Sequence, residues 1–206
     1  MIVIIDYGVG NLFSLKSSFA MIGAEAVVSG DPEVISSADK IILPGVGAFE
    51  DAANKLRSGG LADCVIDCAK RGTPLLGICL GMQLLFETSY EFGEHRGLGL
   101  LRGRVVDMRN VIPAELKVPQ IGWNALHIHR DHPLLKNTRE GAFVYFVHSY
   151  YATDCGDSLL ATCEYGAELT AAVAKDNVMG CQFHPEKSGE IGLKMLKAFC
   201  ETEVGA

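Results

Sequence analysis

The stretch that decides the fold is Leu75-Leu76-Gly77-Ile78-Cys79-Leu80-Gly81-Met82-Gln83. An apolar run leads directly into Gly-x-Cys-x-Gly, and a helix-forming run over residues 82–87 follows it. This order is typical of a nucleophile elbow, in which a sharp turn joins a strand to a helix and exposes the nucleophile. Glycines are needed beside the cysteine because the crowded turn leaves no room for a neighbouring Cβ atom.

Cys79 is therefore predicted to be a nucleophile at the start of a helix, where free N–H groups and the helix dipole favour a thiolate. The alternative is a buried core thiol, which is the usual fate of a free cysteine. We expect that fate for the other six cysteines, including Cys64 and Cys68 on a predicted helix.

A base for Cys79 is found near the other end of the chain, in Cys181-Gln182-Phe183-His184-Pro185-Glu186. Cysteine hydrolases need a base that takes the thiol proton and an acid that orients the base. His184 and Glu186 are two residues apart, so in an extended segment they point the same way. A His-x-Glu pair alone is weak evidence, but with a cysteine elbow it predicts a Cys-His-Glu triad.

Composition limits the function classes. The chain has 206 residues, enough for one well-packed domain, predicted to span 1–206. A net charge of −7 argues against nucleic-acid binding, which needs clustered Lys and Arg. No apolar run reaches the roughly 20 residues of a membrane span. Residues 1–6 favour a strand over a signal peptide. Seven cysteines without a Cys-x-x-Cys pair indicate reduced thiols, so we expect a cytoplasmic protein.

The first half of the chain alternates short apolar strands with helices, which predicts a parallel sheet covered on both faces. The second half contains strands with few helices between them, and we expect some of these to be antiparallel. The predicted fold is therefore one α/β domain with a mostly parallel central sheet. Strands are expected at 1–6, 26–28, 40–43, 74–79, 105–108, 125–129, 143–148, 159–163 and 171–174, and helices at 11–22, 50–58, 61–70, 80–87 and 189–200.

Several other motifs are ambiguous. Pro44-Gly45-Val46-Gly47 follows a predicted strand, and its N–H groups could join that of Leu80 in an oxyanion hole, or the segment could be an ordinary turn. Gly8-Val9-Gly10 fails as a dinucleotide fingerprint because Phe13 replaces the third glycine. His127, His129 and His132 lack an acidic or cysteine ligand at metal spacing, so no metal is expected. Trp123, between Gly122 and Asn124, could be core or could anchor an interface.

With these residues laid out, the chain resembles the class I (triad) glutamine amidotransferases over nearly its whole length. The family signature is carried by 77–83 and 183–186. Within the family, five further stretches resemble the glutaminase subunits of histidine biosynthesis. These stretches are Asp6-Tyr7-Gly8-Val9-Gly10-Asn11, Pro44-Gly45-Val46-Gly47-Ala48-Phe49, Gly97-Leu98-Gly99-Leu100, Gly122-Trp123-Asn124 and Tyr145-Phe146-Val147-His148-Ser149-Tyr150-Tyr151.

The resemblance implies a role for each matching residue. Cys79 is the nucleophile, His184 the base and Glu186 its orienting acid. Substrate-binding residues are Gly45, Val46 and Gly47 of the oxyanion strand, Leu80, Gln83, and the strand end His148, Ser149 and Tyr150, partly through main chain. Asn11 and a loop over 119–124, with Pro119, Gln120, Gly122, Trp123 and Asn124, face the partner. Gln120 stands where relatives often carry His, and Arg102 where many carry Pro.

The resemblance also implies a reaction. Cys79 attacks the side-chain amide of L-glutamine, ammonia leaves, and a glutamyl thioester is hydrolysed to glutamate. Ammonia passes to a (β/α)₈ cyclase subunit that makes imidazole glycerol phosphate and an aminoimidazole carboxamide ribotide, so the two chains form a heterodimer. No cofactor or metal is expected. The alternatives are a stand-alone cysteine hydrolase of this fold, an amidotransferase subunit of another synthase, and a catalytically idle regulatory subunit.

Overall fold

A computed structural model describes residues 1–202 of the chain. The predicted domain over 1–206 stays a prediction, because residues 203–206 lie outside the described residues. The helices are α1 (Leu12–Met21), α2 (Pro32–Ser36), α3 (Phe49–Ser58), α4 (Leu61–Lys70), α5 (Leu80–Leu84) and α6 (Gly189–Cys200). The strands are β1 (Ile2–Ile5), β2 (Ala26–Ser29), β3 (Lys40–Leu43), β4 (Leu75–Ile78), β5 (Phe86–Ser89), β6 (His95–Arg96), β7 (Leu101–Asp107), β8 (Gln120–Ala125), β9 (His127–Ile128), β10 (Phe143–His148), β11 (Tyr150–Thr153), β12 (Leu159–Glu164), β13 (Glu168–Lys175) and β14 (Val178–Cys181).

The central sheet has the order β2-β1-β3-β4-β14-β13-β12-β9. The five strands from β2 to β14 run parallel, and β13, β12 and β9 continue the sheet antiparallel. Strands β1, β3 and β4 are buried along their whole length, as expected for parallel strands covered on both faces. The predicted α/β fold with a mostly parallel sheet and antiparallel strands in the second half is confirmed.

Two hydrophobic cores lie on opposite faces of this sheet. Side chains alternate along a strand, so Ile2 and Ile4 of β1 pack on one face with α1 and α6, through residues such as Phe19 and Phe199. Val3 and Ile5 pack on the other face with α3 and α4. The sheet is therefore held between helical layers, and its carboxyl edge is left free for a site.

Two smaller sheets stand beside that edge. Strands β10 and β8 form an antiparallel pair, and β11, β7, β5 and β6 form a four-stranded sheet in that order. In the β8–β10 pair, Trp123 lies opposite Tyr145 and Ile121 opposite Val147, so these four side chains share one face.

Three predicted elements are wrong. The strand expected over 125–129 is divided, because Ala125 ends β8 whereas β9, which pairs with β12, covers only His127–Ile128. The helix expected over 80–87 ends at Leu84, and β5 begins at Phe86 and pairs with β7, because the chain turns into the smaller sheet at this point. The loop expected over 119–124 is mostly β8, since backbone pairing with β10 over six residues outweighs the local Pro and Gly signals.

Candidate active site

Cys79 sits at a strained turn between β4 and α5. Its φ of 55° and ψ of −112° lie in a region that non-glycine residues rarely adopt, and such strain concentrates at functional sites. A Cβ atom on Gly77 would lie 2.7 Å from the Gly81 carbonyl oxygen, and one on Gly81 would overlap the Leu43 carbonyl. Both glycines are therefore required sterically, as the elbow motif predicts.

The elbow lies next to the segment that carries His184. Strand β14 runs parallel to β4, so both strands end at the same edge of the sheet, and the Cys79 N–H donates to the Cys181 carbonyl at 2.8 Å. His184 follows β14, and its Nδ1 lies 2.8 Å from Oε1 of Glu186. Both of these side chains are almost fully buried. The structure thus brings the three residues of the predicted triad together.

The electrostatics of His184 favour the imidazolium. Burial alone would lower the pKa of His184, but the neighbouring Cys79 and Glu186 outweigh it and raise the pKa to about 9. Among the described residues, 1–202, Nε2 has no hydrogen-bond partner, and His184 lines the cavity. The ring is thus held by its Nδ1 side, and its Nε2 side is left for a proton transfer.

The thiol has two polar neighbours. Nε2 of Gln182 lies 3.6 Å from Sγ of Cys79, and the carbonyl oxygen of Val147 lies 3.9 Å away. Val147 belongs to β10, whose Tyr145 carbonyl also accepts from the main-chain N–H of His184 at 2.9 Å. Strand β10 therefore contacts both the predicted nucleophile and the predicted base.

A cavity of about 340 Å³ opens above these residues, a size that suits a small ligand. Seven of the eight predicted substrate-binding residues line it, and Gly45 is the exception. The lining comprises Val46, Gly47, Cys79, Leu80, Gln83, Glu91, Pro119, Val147, His148, Ser149, Tyr150, His184 and Lys187.

The polar side chains of Gln83 and His148 are largely engaged within the protein. Nε2 of Gln83 donates to the Tyr150 carbonyl and to Oε1 of Gln182, each at 3.0 Å. The His148 ring lies 2.8 Å from the same carbonyl through Nδ1 and 2.9 Å from Oε1 of Gln120 through Nε2. These residues shape the cavity wall from behind and engage the Tyr150 carbonyl, while Ser149 and Tyr150 themselves line the cavity.

Glu91 is a cavity residue that sequence reasoning missed. Its Oε2 accepts from the Phe49 N–H at 2.7 Å, at the first residue of α3, and burial raises the pKa of its carboxyl group. No motif surrounds Glu91, which enters the site only because the segment after β5 folds back beside the cavity. A carboxylate in this wall suits a ligand that carries an ammonium group.

The predicted oxyanion strand packs directly on the elbow. A Cβ atom on Gly45 would lie 2.7 Å from the Gly81 nitrogen, so only glycine fits there. Gly47 has a φ of +93°, which also favours glycine. The Tyr7 hydroxyl donates to the Pro44 carbonyl at 2.6 Å and fixes the start of the Pro44–Gly47 segment.

The residues predicted to face a partner divide into exposed and buried ones. Trp123 is 54 % exposed and contacts the Tyr145 ring edge-on, and Asn11 at the start of α1 is half-buried. The side-chain amide of Asn124 donates to the Glu164 carbonyl. Gln120 is a correction: β8 turns its side chain inward, where it is 3 % exposed, so it cannot contact a partner. Pro119 is exposed and lines the cavity, and Gly122 is half-buried.

Burial of His148 gives a testable pH dependence. Burial, and the charge of His184 nearby, lower the pKa of His148 to about 4 although the Tyr150 carbonyl opposes the shift. The unfolded chain binds this proton below about pH 6.5 and the folded chain only below about 4, so stability falls as the pH drops through this window. We expect a loss of about 3 kcal/mol from this group.

Urea unfolding between pH 4 and pH 7 measures this loss. The variant His148→Gln should flatten the slope, and Lys16→Gln, a change at an exposed position of α1, should leave it unchanged. His184 has the opposite sign, since its raised pKa adds stability below about 6.5 that disappears as the pH rises through about 9. An unchanged slope in His148→Gln would contradict the assignment.

The sequence was compared with known families and proteins. The profile of the family "Glutamine amidotransferase class-I" matches residues 3–202. The imidazole glycerol phosphate synthase subunit HisH of Syntrophotalea carbinolica is 49 % identical over 97 % of this chain and 98 % of that protein. HisH of Sulfurimonas denitrificans is 51 % identical over 97 % of each. PurLQS from Thermotoga maritima superposes with a TM-score of 0.74 at 21 % identity, over 97 % of this chain and 96 % of that one, which supports the fold.

The chain belongs to the class-I glutamine amidotransferase family, and it is an enzyme of the glutaminase type. The relatives at about 50 % identity are HisH subunits of imidazole glycerol phosphate synthase. The predicted subfamily, the glutaminase subunits of this synthase, is therefore confirmed. Among residues 1–202 no helix is long and apolar enough to cross a membrane. Within the same range no group of three or more His, Cys, Asp or Glu side chains could hold a metal ion.

Proposed function

We propose that this chain hydrolyses L-glutamine through a thioester on Cys79 and delivers the ammonia to a (β/α)₈ cyclase subunit of imidazole glycerol phosphate synthase, with which it forms a heterodimer. The observation that carries this proposal is the meeting of a strained cysteine elbow with the buried His184–Glu186 pair in one cavity. The near full-length identity to synthase subunits supports the choice of partner. Free thiols throughout the chain fit a reducing cytoplasm, the location we propose.

The proposed reaction uses the groups at the edge of the sheet in turn. The Cys79 thiolate attacks the side-chain amide carbon of glutamine, and N–H groups of Gly47 and Leu80 receive the oxyanion. His184 then donates its Nε2 proton to the leaving ammonia, which breaks the carbon–nitrogen bond and leaves the thioester. Water attacks the thioester with His184 as base, and glutamate and the free thiol are released. Glu186 keeps the ring oriented through Nδ1 in both steps.

Substrate selection is proposed to depend on the charges of the amino acid. Glu91 supplies a carboxylate in the cavity wall for the α-ammonium group, and its partial burial strengthens that attraction. The main-chain N–H groups of Ser149 and Tyr150 donate to the α-carboxylate. Glutamine then lies with its side-chain amide at the elbow, which a cavity of about 340 Å³ accommodates.

The outer face of the β8–β10 pair is the proposed partner surface. It presents the exposed side chains of Ile121, Trp123 and Phe143, which form an apolar patch of the kind that marks an interface. The patch adjoins the cavity through Val147, whose main chain reaches the thiol. A partner bound here would cover the cavity mouth, so ammonia could cross without entering bulk water.

Replacement of Trp123 by alanine is expected to weaken the complex by about 2 kcal/mol, or roughly 30-fold in Kd, because an exposed aromatic anchor dominates such interfaces. Calorimetric titration with the cyclase subunit measures the effect. The matched control is Met21→Ala, which removes an even more exposed apolar side chain at the far end of α1 and should leave Kd unchanged. Unaltered binding by Trp123→Ala would exclude β8 from the interface.

Ammonium rescue tests the division of labour between the two chains. The complex that carries Cys79→Ala should make no imidazole glycerol phosphate from glutamine, yet it should make it at the normal rate from added ammonium salt. Failure of rescue would contradict the proposal that this chain only supplies ammonia.

A further inference from the structure

A buried glutamine outside the predicted triad contacts the nucleophile. Gln182 lies between β14 and His184, its side chain is inaccessible to solvent, and its Nε2 is 3.6 Å from Sγ of Cys79. The reaction proposed above assigns no role to this amide. Burying a polar group costs free energy unless the group is hydrogen-bonded. The contact between the Gln182 amide and the thiol therefore matters for both groups.

The hydrogen-bond chain behind Gln182 fixes which end of its amide faces the thiol. A side-chain amide can be turned over so that nitrogen and oxygen exchange places, and only the partners decide between the two. The Tyr150 carbonyl oxygen can only accept, so the Gln83 group 3.0 Å from it is the NH₂. The same NH₂ lies 3.0 Å from Gln182, which must therefore present its oxygen there. The NH₂ of Gln182 is left to face Sγ.

The two polar neighbours of the thiol have opposite effects on its charge state. The Val147 carbonyl accepts from the S–H and repels a thiolate, so it favours the protonated form. The Gln182 amide donates to sulfur and stabilises a negative charge there, and burial strengthens this effect. Gln182 is therefore the neutral donor that remains favourable when Cys79 loses its proton to His184.

We propose that Gln182 is a further catalytic residue, which donates a hydrogen bond to the Cys79 thiolate, and that Gln83 is a positioning residue, which holds the Gln182 amide in the donating orientation. This inference rests on the proposed function in that Cys79 is the nucleophile. It adds a neutral donor to the sulfur besides the base, and it links the residue in the substrate cavity, Gln83, to the reacting atom.

The test is the pH dependence of Cys79 alkylation by iodoacetamide in the intact chain, followed by mass spectrometry of the Cys79 peptide. In Gln182→Leu the midpoint should rise by about one pH unit, the loss of one hydrogen bond to a charged group, while the rate at high pH stays the same. All titratable and charged groups around the thiol are retained in this variant. They are Tyr7, Glu91, Cys181, His184, Glu186 and Lys187.

Three further variants make the result specific. Thr170→Val removes a hydroxyl 3.7 Å from the buried thiol of Cys155, remote from the cavity, and should leave the midpoint unchanged. Gln83→Leu frees the Gln182 amide to turn over and should give an intermediate rise. Gln182→Met repeats the test if the leucine variant does not fold. A midpoint that stays at the wild-type value in Gln182→Leu or Gln182→Met overturns the proposal.

Alkylation requires no glutamine, so the two proposals fail separately. An unchanged midpoint refutes the role of Gln182 alone, whereas ammonia release by a folded Cys79→Ala chain refutes the glutaminase mechanism.

Discussion

Replacement of Cys79 by alanine is expected to abolish glutamine hydrolysis while leaving the fold intact. The thioester cannot form without the sulfur, and loss of a nucleophile that acts as one unit with its base costs on the order of 10⁴-fold or more in turnover. His184→Ala should be nearly as damaging for the same reason, and Glu186→Gln milder, because an unoriented imidazole can still accept a proton. Glutamate release measured with the purified proteins gives all three rates.

The matched control for this prediction is Cys68→Ala. Cys68 is also buried, and its thiol contacts the Ile35 carbonyl between α2 and α4, far from the cavity. This variant should lose about 1 kcal/mol of stability and keep its activity per folded molecule. Glutaminase turnover in a folded Cys79→Ala protein would contradict the assignment of the nucleophile.

Partner binding is expected to raise glutaminase turnover about 10²–10³-fold, which is the change in turnover that one oxyanion-hole donor causes. The isolated chain should be slow because the Pro44–Gly47 segment after β3, with a positive φ at Gly47, is able to leave the oxyanion hole incomplete. The proposed partner surface includes β10. This strand contacts the Cys79 thiol through the Val147 carbonyl and the His184 N–H through the Tyr145 carbonyl, so partner binding can act on both catalytic residues. The measurement compares glutamate release by the chain alone, with the cyclase subunit, and with that subunit and its nucleotide ligand.

Full activity of the isolated chain, unchanged by partner and ligand, would contradict this gating. It would favour a stand-alone cysteine hydrolase with the same elbow. The variant Trp123→Ala provides an internal check, because saturating partner should still activate it if Trp123 contributes to affinity only.

Local sequence predicted the parts of the site that depend on steric necessity. The elbow at Cys79 needs glycines where a Cβ atom would overlap the backbone, and those glycines are visible in the sequence. The buried strands β1, β3 and β4 are visible as short apolar runs for a similar reason. His184 and Glu186 were predicted from their spacing and type, and the parallel pairing of β14 with β4 brings them to Cys79.

The parts that local sequence could not predict depend on tertiary pairing. Glu91 has no motif, and it reaches the cavity because β5 leads the chain into the second sheet. Gln120 lies between turn-forming residues, yet β8 pairs with β10 and buries its side chain. The hydrogen-bond chain from Tyr150 through Gln83 to Gln182 joins three separate elements, so no spacing along the chain reveals it.

Glutamine hydrolysis is proposed to proceed through an acyl enzyme on Cys79. The most direct measurement is to mix the complex of this chain and the cyclase subunit with glutamine, quench it in acid during steady turnover, and examine its peptides by mass spectrometry. A thioester survives acid, so one glutamyl group is expected on the Cys79 peptide, absent from Cys79→Ala and lost when glutamine is exhausted. Steady glutamate formation with an unmodified Cys79 peptide, or a glutamyl group on any other residue, would contradict it.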